Sequence, residues 1–318
     1  MNEKLIVSTS PHLKNRIKTK NIMLDVIIAL APALIAAIVI FGFRALLLVM
    51  VTVATCVLAE YGAQKVLKRQ QTICDLSAVV TGILLAFTLP VQLPIWMAIL
   101  GGMVAIVLIK QIFGGIGHNF VNPALTARII LFISFPLAMT FWTPPFAYYD
   151  QTATTEAVSA ATPLSILNDE YTEDLPSHLD LFFGLTPGSL GEVSTFALIL
   201  GGIYLVIKKI ITLTIPLIFI LTVFIFAALF GQDPVIHLLS GGLFLGAIFM
   251  ATDYATSPLT DRGKAIYAVG CGFLTIIIRV FGDLLEGVAF AIIVMNILVP
   301  FIERITMPTS LRRQEGKR

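Results

Sequence analysis

Apolar residues gather along this chain into stretches of the length a bilayer demands. Mainly apolar runs occupy 22–41, 45–65, 75–90, 94–112, 120–136, 195–207, 212–230, 235–252, 265–281 and 285–303. A hydrocarbon core of ~30 Å takes about 20 helical residues. The pattern predicts an all-α integral membrane protein with about ten transmembrane helices. Two of the runs are short: 75–90 closes at Leu89-Pro90, and 235–252 stops before Asp253. Short, Gly- or Pro-interrupted spans in corresponding places of two halves point to an internal repeat with broken helices. Its first core is expected over 75–136 and its second over 235–300. Each has a Ser- or Gly-bearing short segment, a Pro-containing break and a Gly-rich pair of helices.

Composition sharpens this picture. With 57% hydrophobic residues, 13% charged residues and a mean hydropathy of +0.93, the chain is excluded from the soluble globular class. A net charge of +2 is too small to point to a nucleic-acid partner, and none is expected. The positions of the charges predict topology. Lys4, Lys14, Arg16, Lys18 and Lys20 fall in segment 1–20, and Arg312, Arg313, Lys317 and Arg318 in the tail, 304–318. The positive-inside rule then places both termini in the cytoplasm. Lys65, Lys68, Arg69, Lys110, Lys208, Lys209, Arg262 and Lys264 fall on the same side, and Arg44 is the exception. Between Arg128 and Lys208 there is no Lys or Arg, whereas Asp150, Glu156, Asp169, Glu170, Glu173, Asp174, Asp180 and Glu192 all lie there. Segment 137–194 therefore reads as extracytoplasmic, and its length argues for a function. By the alternating charge, the second repeat is inverted relative to the first. The first apolar run is long enough to stay as a membrane helix instead of being cleaved as a signal peptide. Cys56, Cys74 and Cys271 are too widely spaced for a metal motif or a disulfide framework.

Polar residues interrupt the apolar pattern in three places. Gly114 to Ala124 (GGIGHNFVNPA) contains Asn119 and Asn122, and reads either as a glycine turn with an Asn cap or as an edge that binds a polar ring. Met250 to Pro258 (MATDYATSP) brings Thr252 and Asp253 to the same predicted side. All four residues are candidates to line a pocket for a flat polar ring. Asp75 and Asp253 read as interfacial acids or as members of an ion or ligand pathway, and Arg128 and Arg279 need partners within apolar runs. In the acidic segment, Glu156 to Leu164 (EAVSAATPL) reads on composition as an ordinary loop.

These stretches resemble a known family. Ser10-Pro11-His12, Asp75 to Gly82 (DLSAVVTG), Gly114 to Ala124, Ser159 to Leu164 (SAATPL) and Met250 to Asp253 are similar to segments of the D subunit of Rnf-type ion-translocating ferredoxin:NAD oxidoreductases. The homologous B subunit of sodium-translocating NADH:quinone reductases shares them. The absence of a long N-terminal extension favours the Rnf-type protein. The resemblance implies a ten-helix, urea-transporter-like fold of inverted repeats and a covalent FMN joined by a phosphoester to Thr162, installed from FAD by a flavin transferase. Ser159 and Ala161 match the attachment motif, Glu156 stands where Asp is usual, and Ala160 where Gly is common. Ser159 is the competing acceptor. The resemblance further implies a noncovalent riboflavin, for which Asn119, Asn122, Thr252 and Asp253 are the candidate residues.

The implied role is a subunit of a prokaryotic inner- or plasma-membrane complex that couples electron transfer to Na+ or H+ translocation. Electrons would pass from an outer FMN-bearing subunit through Thr162-bound FMN to riboflavin and toward the cytoplasmic NAD-reducing side, with membrane iron–sulfur subunits and a cytoplasmic NAD-binding subunit as further partners. The flavin ring does the redox chemistry, so no catalytic side chain and no metal ligand is expected of this chain. The alternative expectation is a solute channel or transporter of the same architecture without a redox cofactor.

Overall fold

The computed structural model describes residues 18–149, 160–167, 175–192, 194–282 and 287–307. Ser159, Ser10-Pro11-His12, and most of the basic N-terminal segment and tail lie outside the described residues. Among the described residues the regular structure is entirely helical. In chain order the main helices are α1 (Thr19–Phe41), α2 (Phe43–Val66), α3 (Ser77–Phe87), α4 (Ile95–Gln111), α5 (Pro123–Ser134), α6 (Thr195–Ile207) and α7 (Thr214–Leu229). The short α8 (Pro234–Leu239), α9 (Leu243–Leu245, continued by a π-helical turn at Gly246–Met250), α10 (Asp261–Phe281) and α11 (Val288–Thr306) complete the order.

Within these residues α1, α2, α10 and α11 are long and apolar enough to cross a membrane, and α3 to α7 are shorter apolar helices. The apolar run at 235–252 is two pieces, because Gly241 and Gly242 both take positive φ and break the helix between α8 and α9. Large apolar side chains stand exposed on the outside of the bundle, among them Ile35, Met50, Leu58, Leu217, Leu229 and Ile305. In water such a surface would aggregate, and in lipid it is the expected exterior.

The helix ends sort the charges. Lys208, past the end of α6, lies 3.8 Å from Asp25 in the first turns of α1, and Tyr204 donates to the same carboxylate at 2.7 Å. Tyr254 donates to the Ile210 carbonyl, and Leu259 N donates to Glu303 in α11 at 3.2 Å. Arg69, beyond α2, donates to the Gln111 carbonyl at the end of α4. The start of α1, the ends of α2, α4, α6 and α11, and the start of α10 thus share one end of the bundle, here called the basic end.

The opposite end carries the turn between α1 and α2. Phe146 N donates to the Ile40 carbonyl at 2.9 Å, and the Tyr148 hydroxyl to the Val39 carbonyl at 2.7 Å. Arg44 has a local task there: its guanidinium donates to the Leu93 carbonyl at 3.2 Å, closing the turn between α3 and α4. The core lies between these ends. Helix α1 packs on α6, α5 on α11, α2 on α3 and α4, and α7 on α10. At the α1–α6 crossing a Cβ on Gly201 would stand 2.1 Å from the Ala29 carbonyl oxygen, so the close approach requires glycine.

Candidate functional site

Polar chemistry collects in two places at opposite ends of the bundle. The first is a pair of joined cavities at the basic end, of about 610 and 110 Å³. They share walls at Ile22, Met23, Ile116, Gly117 and the Asp253–Ala255 stretch. The combined size falls in the range of small-molecule sites, ~300–1,000 Å³. All four residues expected to meet a flat ring come together here, since Asn119, Asn122, Thr252 and Asp253 line the smaller cavity.

Their states differ. Asn122 is spent on structure: its Oδ1 accepts from the Ala124 and Leu125 amides at 3.1 and 3.3 Å, capping α5 ahead of Pro123. Its Nδ2 donates to the Met250 carbonyl at 3.3 Å, fastening the end of α9 to the start of α5. The Thr252 hydroxyl donates back to the Ile248 carbonyl at 2.6 Å. Asn119, by contrast, is buried with no partner for its Oδ1. A buried acceptor without a donor is costly, so Asn119 is the side chain here whose chemistry calls for a ligand N–H. Asp253 lines both cavities and accepts from the Thr256 hydroxyl at 3.3 Å.

The two helices that deliver backbone to this place are both π-helical there, α4 over Val104–Gln111 and α9 over Gly246–Met250. Such wide turns recur at functional sites because they turn side chains off the regular helical faces. In α4 the wide turn brings Lys110 into the bundle. Its ammonium lies 2.7 Å from Glu60 Oε1 and donates to Ser77 Oγ at 2.6 Å. Ser77 in turn donates to Asp75 Oδ1 at 2.6 Å, and Gln111 Nε2 donates to Glu60 at 2.8 Å. The charge pattern places Lys110 at the inner membrane edge. It lies at the basic end, buried in an ion pair on the wall of the smaller cavity.

The second place surrounds Thr162. Ala160 N donates to the Trp142 carbonyl at 2.9 Å, which ties this segment to the stretch of chain that packs on the α1–α2 turn. Helix α1, with 23 residues, spans about 34 Å at 1.5 Å per residue. Thr162 and the cavities therefore belong to opposite ends of the bundle. Thr162 is half-buried and caps the short helix Pro163–Leu167: its Oγ1 accepts from Ser165 N at 3.3 Å and approaches Ser165 Oγ at 3.2 Å. Composition suggests a free loop hydroxyl here, and the cap is the correction.

Neighbouring elements fill the centre beside it. Leu190 N and Gly191 N donate to the Leu89 and Phe87 carbonyls at 3.2 and 2.8 Å, so part of the acidic segment dips into the bundle and closes the end of α3. Arg279 donates to the His237, Ser240 and Gly241 carbonyls and closes α8 in the same manner. The Glu192 charge acts on both Arg128 and Arg279, which supplies an acid for the arginines of the apolar runs.

Against known proteins, the family model described as NQR2, RnfD, RnfE matches residues 6–312. The chain belongs to that family. It is 50% identical over 309 residues to the D subunit of the Na(+)-translocating ferredoxin:NAD(+) oxidoreductase complex of Acetobacterium woodii, covering 96% of this chain and 95% of the relative. It is 39% identical over 317 residues to the D subunit of the proton-translocating ferredoxin:NAD(+) oxidoreductase complex of Clostridium ljungdahlii, covering 95% and 94%. With the D subunit of the ion-translocating oxidoreductase complex of Stutzerimonas stutzeri the identity is 40% over 335 residues, covering 95% of each. This family member is therefore a multi-pass membrane protein similar to these relatives over nearly its whole length.

Within this family member, the ion pair Glu60–Lys110 and the hydroxyl of Ser77 were not singled out by sequence reasoning. The available signal was a lone acid and a lone base inside apolar runs, each lacking a local partner. Glu192 counts in the sequence only as one acid of the outer segment, because nothing local says that 190–192 enters the bundle.

Proposed function

We propose that this chain is the D-type subunit of an ion-translocating ferredoxin:NAD oxidoreductase. In this role it carries FMN covalently on Thr162 and holds riboflavin in the cavities at the basic end. The observation that carries the reading is the 50% identity to the Acetobacterium woodii relative across 96% of the chain. The geometry supports it. Thr162 stands at the end opposite the cavities, as two relay stations on either side of a membrane require. Asn119 offers an unpartnered acceptor on the wall of the smaller cavity, beside the larger one.

In this reading Thr162 Oγ1 bears the phosphoester, Asn119 and Asp253 face the riboflavin ring, and Asn122 and Thr252 hold the backbone that frames it. The bound flavins supply one- and two-electron chemistry. The side chains position the rings, exclude water and present hydrogen-bond donors and acceptors. The end reactions belong to partner subunits: an outer FMN-bearing one, membrane iron–sulfur ones and a cytoplasmic NAD-binding one. A flavin transferase matures the chain.

The fold belongs to the same proposal, as ten crossings in two inverted repeats with the basic end in the cytoplasm. Matched packing of α1 on α6 and of α5 on α11 supports a two-fold relation between halves. The clustering of Lys65, Lys68, Lys208, Lys209, Arg262 and Lys264 near one end supports the orientation. The relatives from Acetobacterium, Clostridium and Stutzerimonas give no support to a solute channel. In-gel flavin fluorescence of the denatured chain, purified with its complex from cells with an active flavin transferase, tests the reading. A fluorescent band at this chain is expected. A dark band beside fluorescent partner subunits would overturn the covalent part of the proposal.

A further inference from the structure

Resting on the reading of the cavities as a riboflavin site, we propose that Lys110 is the proton donor to the ring held there. It is resupplied from the basic end through Ser77 and Asp75.

The observation is a continuous chain of short hydrogen bonds. Asp75 is half-buried at the basic end, its Oδ1 accepts from Ser77 Oγ at 2.6 Å, and Ser77 Oγ accepts from Lys110 Nζ at 2.6 Å. Lys110 lines the smaller cavity together with Ser77, Asn119 and Asp253. A titratable cation is thus connected on one side to a carboxylate in reach of water and on the other to a ligand chamber.

A purely structural ion pair accounts for less of this. Burying two charges costs several kcal/mol per ion, which attraction repays only when the remaining lone pairs are also satisfied. Here Glu60 Oε1 accepts from both Lys110 and Gln111, while Glu60 Oε2, equally buried, has no partner. The network is unsaturated at its inner acid and connected at its outer one, which suits a path along which protonation changes.

The charged and titratable groups around Lys110 are Glu60 and Cys56 from α2, Asp75 ahead of α3, and Asp253 across the cavity. Arg69 is engaged with the Gln111 carbonyl. Helix α5 brings one charged residue, Arg128, on which the Glu192 charge acts. Acids therefore dominate the surroundings.

The step balances in protons. An N–H bond of the Lys110 ammonium breaks as an N–H bond to the ring nitrogen forms, leaving a neutral amine. Ser77, a hydroxyl that both donates and accepts, turns its O–H to the amine and takes up a proton that enters from water at the basic end by way of the Asp75 carboxyl group. One proton enters for each one given up. No electron moves along the chain, and the electron that makes the ring basic arrives by the proposed electron-transfer activity.

The test compares wild type, Ser77→Ala and Ser77→Thr in the purified complex. Riboflavin is quantified by chromatography after denaturation, and proton uptake is followed with a pH indicator after rapid chemical reduction. Ser77→Ala keeps the Lys110–Glu60 pair and is expected to bind riboflavin at wild-type stoichiometry. One uptake phase is expected to slow about 100-fold, the lower end of what a positioned proton-transfer group supplies, with total uptake unchanged. Ser77→Thr restores the hydroxyl and the rate. Asp75→Asn, changed at the rim, is expected to slow the same phase and serves as the second variant if Ser77→Ala does not assemble. Unchanged uptake with riboflavin bound would overturn the relay alone. Riboflavin lost only in Ser77→Ala would make Ser77 a ligand and also overturn it. Riboflavin absent from wild type would overturn the underlying reading of the cavity.

Discussion

Two asparagines three positions apart illustrate how far a residue's role depends on what its neighbours leave unpaired. The Asn122 side chain is used up by two backbone amides and one carbonyl, whereas Asn119 keeps a buried oxygen without a donor. Asn122→Ala should therefore lower stability by about 1 kcal/mol or more, the usual cost of a lost cap, seen as a lower unfolding temperature in detergent. Asn119→Leu should leave that temperature close to wild type and reduce the riboflavin that copurifies. Equal effects of the two substitutions on both readouts would contradict the division of roles. Lys110 and Glu60 give a second prediction at this scale. Removing one partner strands a buried charge, so Glu60→Leu should cost about 3–5 kcal/mol. The double variant Glu60→Leu with Lys110→Met should recover most of that loss, as thermal unfolding of the three proteins would register.

At the scale of elements, the breaks matter more than the spans. Helix α3 ends where Gly191 meets Phe87, and a Cβ on Gly191 would stand 2.3 Å from Phe87 Cβ. Gly191→Ala should destabilise by about 1–3 kcal/mol through overpacking, with protease sensitivity rising in the 175–192 segment as the check. Much of this level was legible in the sequence. Each apolar run coincides with a helix or, at 235–252, with a broken pair, and Asn122-Pro123 marks the start of α5 by its cap and its fixed φ. The gathering of Asn119, Asn122, Thr252 and Asp253 at one cavity followed from both halves losing their apolar pattern on the same predicted side. What stayed hidden is long-range. Glu60 and Lys110 meet only because α2 packs on the π-helical part of α4, and neither the wide turn nor the partner choice has a local signature. The dip of Leu190-Gly191 into the bundle is equally invisible, since backbone amides that reach across the fold leave no mark on composition. The choice of Thr162 as attachment site rests on family resemblance alone. Its capping bond to Ser165, which a Thr-Pro-Leu-Ser sequence permits, could have been read locally.

For the whole molecule, the proposed function puts a flavin station at each end of the membrane bundle, and its first consequence is a topology. With Cys74 replaced by Ser, a cysteine at exposed His178 should react with an impermeant maleimide from outside intact cells. One at exposed Arg262 should react only after the membrane is opened. The reverse pattern would invert the orientation and move Thr162 to the cytoplasmic side. Thr162→Ala should cost about 1 kcal/mol locally through the lost cap, leave the bundle and its riboflavin in place, and abolish electron transfer by the complex. The most direct test of the central claim is the mass of the peptide containing Thr162, from complex purified out of cells with an active flavin transferase. The account predicts the FMN increment on Thr162, retained in Ser159→Ala and absent in Thr162→Ala. An unmodified Thr162 in the wild-type protein, or the increment on Ser159, would contradict it.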